Sequence, residues 1–269
     1  MESLFLYKLN RFLHRIFWKI SPKNEQQCLT IIQGKIAKSL YPEIASIDDT
    51  IDKLLTGKYS IARYGDGEYT LCFDRPIGFQ KADRALRNRL REILKSKTEN
   101  CLIALPECTI KNISPFWIRY WFENFDDILK LFRKDVKYYN QSISREFSIE
   151  QINRFKQLWA NRYVVFVFGK GSRFDCTHEI FSGINGHSIV YGLPQNAWDE
   201  YSKLLNDVKD EIAKHQNPLI LISLGPTATV LAYDLSSNGN QAIDIGHITN
   251  MYDRLVYRKA KPEDLPFSG

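Results

Sequence analysis

The segment SIARYGDGEYTL, residues 60–71, places Arg63, Asp66 and Glu68 just beyond a short apolar run. Asp66 and Glu68 flank Gly67, so in an extended turn their side chains point the same way. Two adjacent carboxylates repel unless a proton or a cation sits between them, and an oxygen pair suits Mg²⁺ or Mn²⁺. Such ions keep waters and bind substrate phosphates. His247, in DIGHI, offers a third ligand, which tilts the preference toward Mn²⁺. Arg63 either pairs with one of the two acids or reaches a diphosphate. Pairing would weaken the case for a metal, so phosphate contact is the reading adopted. Taken alone, a solvated acidic turn has the same sequence.

Other segments carry anion-binding chemistry. FGKGSRF contains Gly169, Lys170, Gly171, Ser172 and Arg173: glycine-freed amides beside an ammonium, a hydroxyl and a guanidinium that could cradle phosphate oxygens. An ordinary left-handed turn would read the same way. Neither GxxxxGK[ST] nor GxGxxG occurs in the chain, so the P-loop and dinucleotide fingerprints are excluded. In SLGPTATVLAYDL, Gly225 and Pro226 lead into a helix whose first amides, at Thr227 and Ala228, attract anions; a routine strand-to-helix turn is the plainer alternative. Asn196 opens another helix and reads equally as its N-cap. Trp198 could stack on a base, but core packing is the reading taken. His14, His178, His187 and His215 are read as structural.

Positioning these groups requires a sheet. Apolar runs at 59–63, 101–105, 163–168, 187–191, 218–223 and 241–245 read as strands, several of them apolar on both faces as buried parallel strands are. Helical patterns fall at 26–40, 47–57, 82–97, 114–132, 148–161, 196–215 and 226–238, with Ser148 and Gln151 spaced as a capping box. The alternation predicts a doubly wound α/β fold, a mostly parallel sheet with helices on both faces. Ligands then bind outside the C-terminal strand ends, where the glycines, donors and acids collect.

Composition agrees. With 269 residues, 44% hydrophobic and 13% aromatic, the chain can bury a full core and is not disordered. The net charge of +6 is scattered over the sequence without a nucleic-acid motif, so anionic small ligands or lipid are expected and nucleic acid is not. Five cysteines without a CxxC pair give neither a disulfide framework nor a zinc site and suit a reducing cytosol. No uninterrupted apolar run is long enough to span a membrane. Residues 1–24 are set apart as a basic amphipathic helix, with Lys8, Arg11, Arg15 and Lys19 on one face and Phe5, Leu9, Phe12, Leu13, Ile16 and Ile20 on another. It packs on the domain, on a second subunit of a homo-oligomer, or on a membrane surface. Residues 25–269 are read as a single domain.

Taken together, ARYGDGE with GFQKAD downstream, FGKGSRF, PQNAWDEY, SLGPTATVLAYDL and QAIDIGHI resemble, in the same order over about residues 50–250, the bacterial GT-D-type glycosyltransferases with their Asp-x-Glu motif. The resemblance implies a Rossmann-like transferase. It takes a sugar from a nucleotide donor, UDP-linked, and holds a divalent ion, Mn²⁺ or Mg²⁺, at Asp66 and Glu68. A carboxylate near the donor sugar then serves as base, and Asp244 is the candidate. The acceptor is a glycan of surface polysaccharide or glycoprotein assembly. The basic helix suits a lipid-linked acceptor at the inner membrane face, making the protein cytoplasmic and peripherally bound. Two other classes fit the same residues: a metal-dependent phosphoesterase acting on nucleotide sugars, and a noncatalytic nucleotide-binding subunit. Deleting residues 1–20 is expected to abolish co-sedimentation with anionic vesicles at low salt, and equal sedimentation of the truncated chain would remove the membrane reading.

Overall fold

The structure, a computed structural model, describes residues 25–38, 41–108 and 115–260. The amphipathic segment 1–24 lies outside the described residues. Contacts group the chain into two compact units. The first takes the described residues of Met1–Glu43, Asp66–Ser96 and Glu107–Lys137; the second takes those of Ile44–Gly65, Lys97–Pro106 and Tyr138–Gly269.

The second unit holds the sheet. Its strands are β1 (Ser60–Arg63), β2 (Cys101–Leu105), β3 (Tyr139–Asn140), β4 (Val164–Gly169), β5 (His187–Gly192), β6 (Leu219–Ser223) and β7 (Gln241–Asp244). They lie in the order β3-β2-β1-β7-β6-β4-β5, every pair parallel. The doubly wound expectation therefore holds. β1, β2 and β4 are buried along their whole lengths, which is why they read as unbroken apolar runs. Alternate residues serve two cores. Phe166 and Phe168 join Ile51, Leu54, Ile152, Phe155, Trp159 and Ile248 on one face. On the other, Val165 and Val167 join Leu204, Val208, Ala228, Leu231 and Leu235.

Helices α2 (Ile47–Gly57), α6 (Ile149–Lys156) and α9 (Ile248–Tyr257) supply the first face, and α7 (Tyr201–Ile212) and α8 (Pro226–Ser236) the second. In α8, nine of eleven residues are buried, so it carries no polar stripe and no amphipathic signature. β3 escapes a periodicity search because two residues hold no period. It is fastened by Thr50, whose hydroxyl donates to the Ser46 carbonyl (2.8 Å) and accepts from the Asn140 amide (3.0 Å).

The first unit contains α1 (Glu25–Lys38), α3 (Asp66–Cys72), α4 (Arg84–Leu94) and α5 (Pro115–Ile128), the last running into a 3-10 turn at Leu129–Leu131. Asp83 caps α4 by accepting from the Leu86 amide (2.9 Å), and Leu86, Leu90, Ile93 and Leu94 are buried as the stripe predicted. Edge-on contacts of Tyr41 with Trp121 and Phe132, and of Tyr69 with Phe132, knit the unit together.

Several boundaries move. The helix expected at 148–161 ends at Lys156; its capping box, Ser148 with Gln151, is present. The helix expected at 196–215 opens as a 3-10 turn, Ala197–Glu200, before α7. α3 and α9 form where no helix was anticipated. All five cysteines are free thiols. No helix among the described residues is long and apolar enough to cross a membrane.

Replacing Thr50 with Val keeps its shape but leaves the buried Asn140 amide without its acceptor. A loss of about 1–3 kcal/mol is expected in urea unfolding, with Thr50→Ser losing less.

Candidate functional site

In the first unit, Asp66 and Glu68 occupy the opening turn of α3, and both are half-buried. This corrects the extended turn expected from the glycines: two positions apart on a helix lie about 200° apart around its axis, so the backbone itself does not set the two carboxylates on one face. Tertiary bonds fix this turn. The Asp66 carbonyl accepts from Thr70 Oγ1 (2.6 Å) and from the Tyr120 hydroxyl on α5 (2.9 Å). At the other end, Arg91 Nε donates to the Cys72 carbonyl (2.8 Å).

Burial pushes the Tyr120 phenol up; the Thr70 hydrogen bond counters this, while the Asp66 and Glu68 charges add to it. The fields of the two carboxylates therefore overlap at one hydroxyl. Burial also pushes the Cys72 thiol up to about 12, so no soft thiolate accompanies the carboxylates. Hard oxygen donors without a thiolate fit Mg²⁺ or Mn²⁺, the remaining shell coming from water or substrate oxygens. No group of three His, Cys, Asp or Glu side chains placed to hold a metal occurs among the described residues. His247 belongs to the second unit, as the residue preceding α9, where its side chain makes no capping bond.

Arg63 and Asp244 are brought together in the second unit. Arg63 Nη2 lies 3.3 Å from Asp244 Oδ1, their side chains only 8% and 6% exposed. Arg63 Nη1 also donates to the Gln141 carbonyl (3.1 Å) and to Ser144 Oγ. Its guanidinium thus holds protein groups, which replaces the expected diphosphate contact. Asp244 Oδ1 also accepts from the Gly246 amide (3.1 Å). Burial pushes the Asp244 carboxyl up, against the pull of Arg63. Asp244 is thus enclosed, with Arg63 and the Gly246 amide as its partners. Gly246 sits at φ +48, and a Cβ there would strike Arg63 Nη2.

The sheet has a switch point between β4 and β6: the chain leaves β4 outward to β5 and leaves β6 inward to β7. Crevices form at such points, and the segments following these two strands are the ones singled out by sequence. After β4, Lys170 N bonds to the Gly192 carbonyl (3.0 Å) and Ser172 N to the Gly169 carbonyl (2.9 Å) around Gly171 at φ +75. Those two amides are spent on the fold, a correction to the open cradle expected there. Lys170 is exposed, and Ser172 and Arg173 are half-buried beside it. Gly169 is required because a Cβ would lie 2.8 Å from Pro194 Cα.

After β6, Gly225 (φ +54) turns the chain into α8 with Pro226 in the first turn, and the Ala228 amide already bonds to the Gly225 carbonyl (2.8 Å). Thr227 is fully buried, and its hydroxyl has no hydrogen-bond partner. Ser223 Oγ donates to the Gly246 carbonyl (2.8 Å), tying the ends of β6 and β7.

Asn196 stands at φ +51 before its 3-10 turn without a side-chain capping bond. Trp198 is half-buried and stacks on Tyr201 (4.4 Å). His178 Nε2 meets Asp253 (3.0 Å), and His215 stacks on Tyr163 and meets Glu211 (3.0 Å), both structural as expected. Sequence reading missed Tyr120, Thr70 and Ser144. Tyr120, in the aromatic run FWIRYWF, was the one with a signal to find.

The model of the family described as "Glycosyltransferase GT-D fold" matches residues 61–265. The chain is 33% identical over 226 residues to "Probable glycosyl transferase Gly" of Streptococcus gordonii, covering 78% of this chain and 32% of that protein. It is 26% identical over 254 residues to "Glycosyltransferase GlyD" of Streptococcus pneumoniae, covering 87% and 31%. The chain thus spans about a third of the length of these curated relatives. A solved structure described as a new glycosyltransferase from Streptococcus sanguinis superposes with a TM-score of 0.75 at 29% identity, covering 80% of this chain and 85% of the other. Another, described as having a distinct glycosyltransferase fold, gives 0.76 at 26% identity, with 90% and 89% covered. The matched segment runs from β1 past the end of α9 and takes in the acid turn and both loops of the switch point, so the chain belongs to the glycosyltransferases of GT-D fold.

Proposed function

We propose that the protein transfers a sugar from a UDP-linked donor to a glycan acceptor, with Mn²⁺ or Mg²⁺ held through Asp66 and Glu68. The observation that carries this reading is the acid pair in the first turn of α3, inside the segment matched by the family model. When bound, a divalent ion neutralises the charge that grows on the departing diphosphate. The chain's own groups act in the same sense. Lys170 stands exposed after β4, and α8 opens its N-terminal turn at the C-terminal end of β6, the crevice side of the sheet. Interactions that strengthen as charge develops lower the barrier, whereas those made equally in the ground state do not.

Within this reading the acceptor belongs to surface polysaccharide or glycoprotein assembly. The basic amphipathic pattern of residues 1–20 favours a lipid-linked acceptor met at the inner membrane face.

The test is UDP release with donor, acceptor and Mn²⁺. Asp66→Ala and Glu68→Ala are each expected to lower metal-dependent release by on the order of 100-fold or more while thermal unfolding stays that of the parent. Full activity in both variants would remove the metal assignment. Equally rapid release without acceptor would make the protein a phosphoesterase, and no release from any nucleotide sugar would leave only a binding subunit.

A further inference from the structure

The roles assigned so far leave one feature of the first unit unused, the aromatic face of α5 beside the acid turn. Phe116 is 49% exposed. Its ring stacks on Tyr120 one turn later (6.0 Å between centroids, 20° between planes). Trp117 meets Phe116 (5.6 Å, 76°) and Tyr120 (5.5 Å, 84°) edge-on. Trp117 in turn stacks on the buried Trp121 (5.5 Å, 27°). Phe116 is therefore a ring of set orientation, backed by a packed aromatic ladder, with its outer face open. The other end of that stack is polar: the Tyr120 hydroxyl donates to the Asp66 carbonyl and contacts Thr70 Oγ1 at 3.2 Å. One helical turn is about 5.4 Å, the scale of a six-membered sugar ring, and it separates the open ring from the residue that touches the acid turn.

A flat apolar face one helical turn from the residue that holds the acid turn suits a ligand that is itself apolar on one face and hydroxylated at its rim. A pyranose with its C–H bonds on one side has that form. A protein partner fits less well, because a protein interface needs a contiguous apolar patch of several hundred Å². Here the neighbours on the helix are Arg119 and the exposed Glu123, and the exposed Ile31 belongs to α1. A phosphate-bearing ligand fits less well too, since the charges acting on Tyr120 include those of the acids Asp66 and Glu68.

We infer that Phe116 is the platform of a sugar-stacking subsite that receives the terminal ring of the acceptor glycan, the C–H face of that ring on the open face of Phe116 and Tyr120 holding the platform one helical turn from the acid turn. This rests on the transferase reading for the identity of the ligand as acceptor; the stacking itself does not.

Two measurements on the full chain test it separately. In ligand-observed saturation-transfer NMR with methyl β-galactoside and methyl β-glucoside, transfer concentrated on the ring C–H protons is expected from the parent. It should be lost in Phe116→Ala and Phe116→Leu and kept in Phe116→Trp. No transfer to either glycoside, or equal transfer in parent and Phe116→Ala, overturns the subsite. Retention in Phe116→Leu also overturns it, because a non-planar side chain would then suffice. In the UDP-release assay, Phe116→Ala should raise the acceptor KM about 5- to 20-fold without raising the donor KM, and Phe116→Trp should restore it. An unchanged acceptor KM overturns the subsite while leaving the transferase standing. Absence of turnover in the parent, with glycoside stacking intact, overturns the transferase and leaves the subsite.

Discussion

The second unit is organised around one buried ion pair. Arg63 ends β1, Asp244 ends β7, and these strands are neighbours at the centre of the sheet. With side chains 8% and 6% exposed, neither charge is shielded by water, and each depends on the other and on the bonds from Gln141, Ser144 and Gly246. Removing one member of such a pair typically costs about 3–5 kcal/mol, because the other is left buried and charged. The pair also dictates its surroundings. Gly246 must lack a side chain to let the guanidinium pass, and the Arg63 carbonyl is held by Thr229 Oγ1 (2.8 Å), which fixes α8 against β1. The ends of β1 and β7 are thus positioned electrostatically and not by apolar packing alone.

The groups singled out differ in kind between the units. In the second unit they are cations, a helix N-terminus and tight glycine turns; in the first they are carboxylates and aromatic rings. Each set is locally braced, the acid turn by Thr70, Tyr120 and Arg91 and the turns of the second unit by Ser223 and by the Gly169 and Gly192 carbonyls. Such bracing is what preorganised stabilisation of a developing charge requires, since groups already in place need not reorganise as the bond breaks.

Much of this was legible in the sequence. Six of the seven strands were found as apolar runs, five of them buried along nearly their whole lengths and β5 more open; β3, with two residues, had nothing to announce. Helices with one wet face, such as α4, were found by their stripe, and Asp83 marked where that helix begins. The misreadings share a cause. Gly65 and Gly67 signal a turn locally, yet the segment is helical because Thr70, Tyr120 and Arg91 satisfy its end carbonyls, and two of those three lie 19 and 54 positions away from the carbonyls they bind. Arg63 looked available for phosphate because its partner Asp244 is 181 positions distant. The glycines of GKGS were rightly read as a turn, but that the amides on either side of Gly171 are consumed by Gly192 and Gly169 is a fact of strand pairing.

The pairing of β1 with β7 bears on how the chain is made. Ser60 Oγ bridges these strands, donating to the Asn240 carbonyl (3.0 Å) and accepting from the Ala242 amide (2.9 Å), bonds that close loops of 180 and 182 residues. During synthesis β1 can add β2 early, but its other edge waits until β7, the last strand of the sheet, has left the ribosome. Contacts of such long span slow folding and prolong the exposure of an unpaired apolar edge. The central seam of the sheet is therefore the last to close, and the interval before it closes is when a nascent chain is most in need of a chaperone.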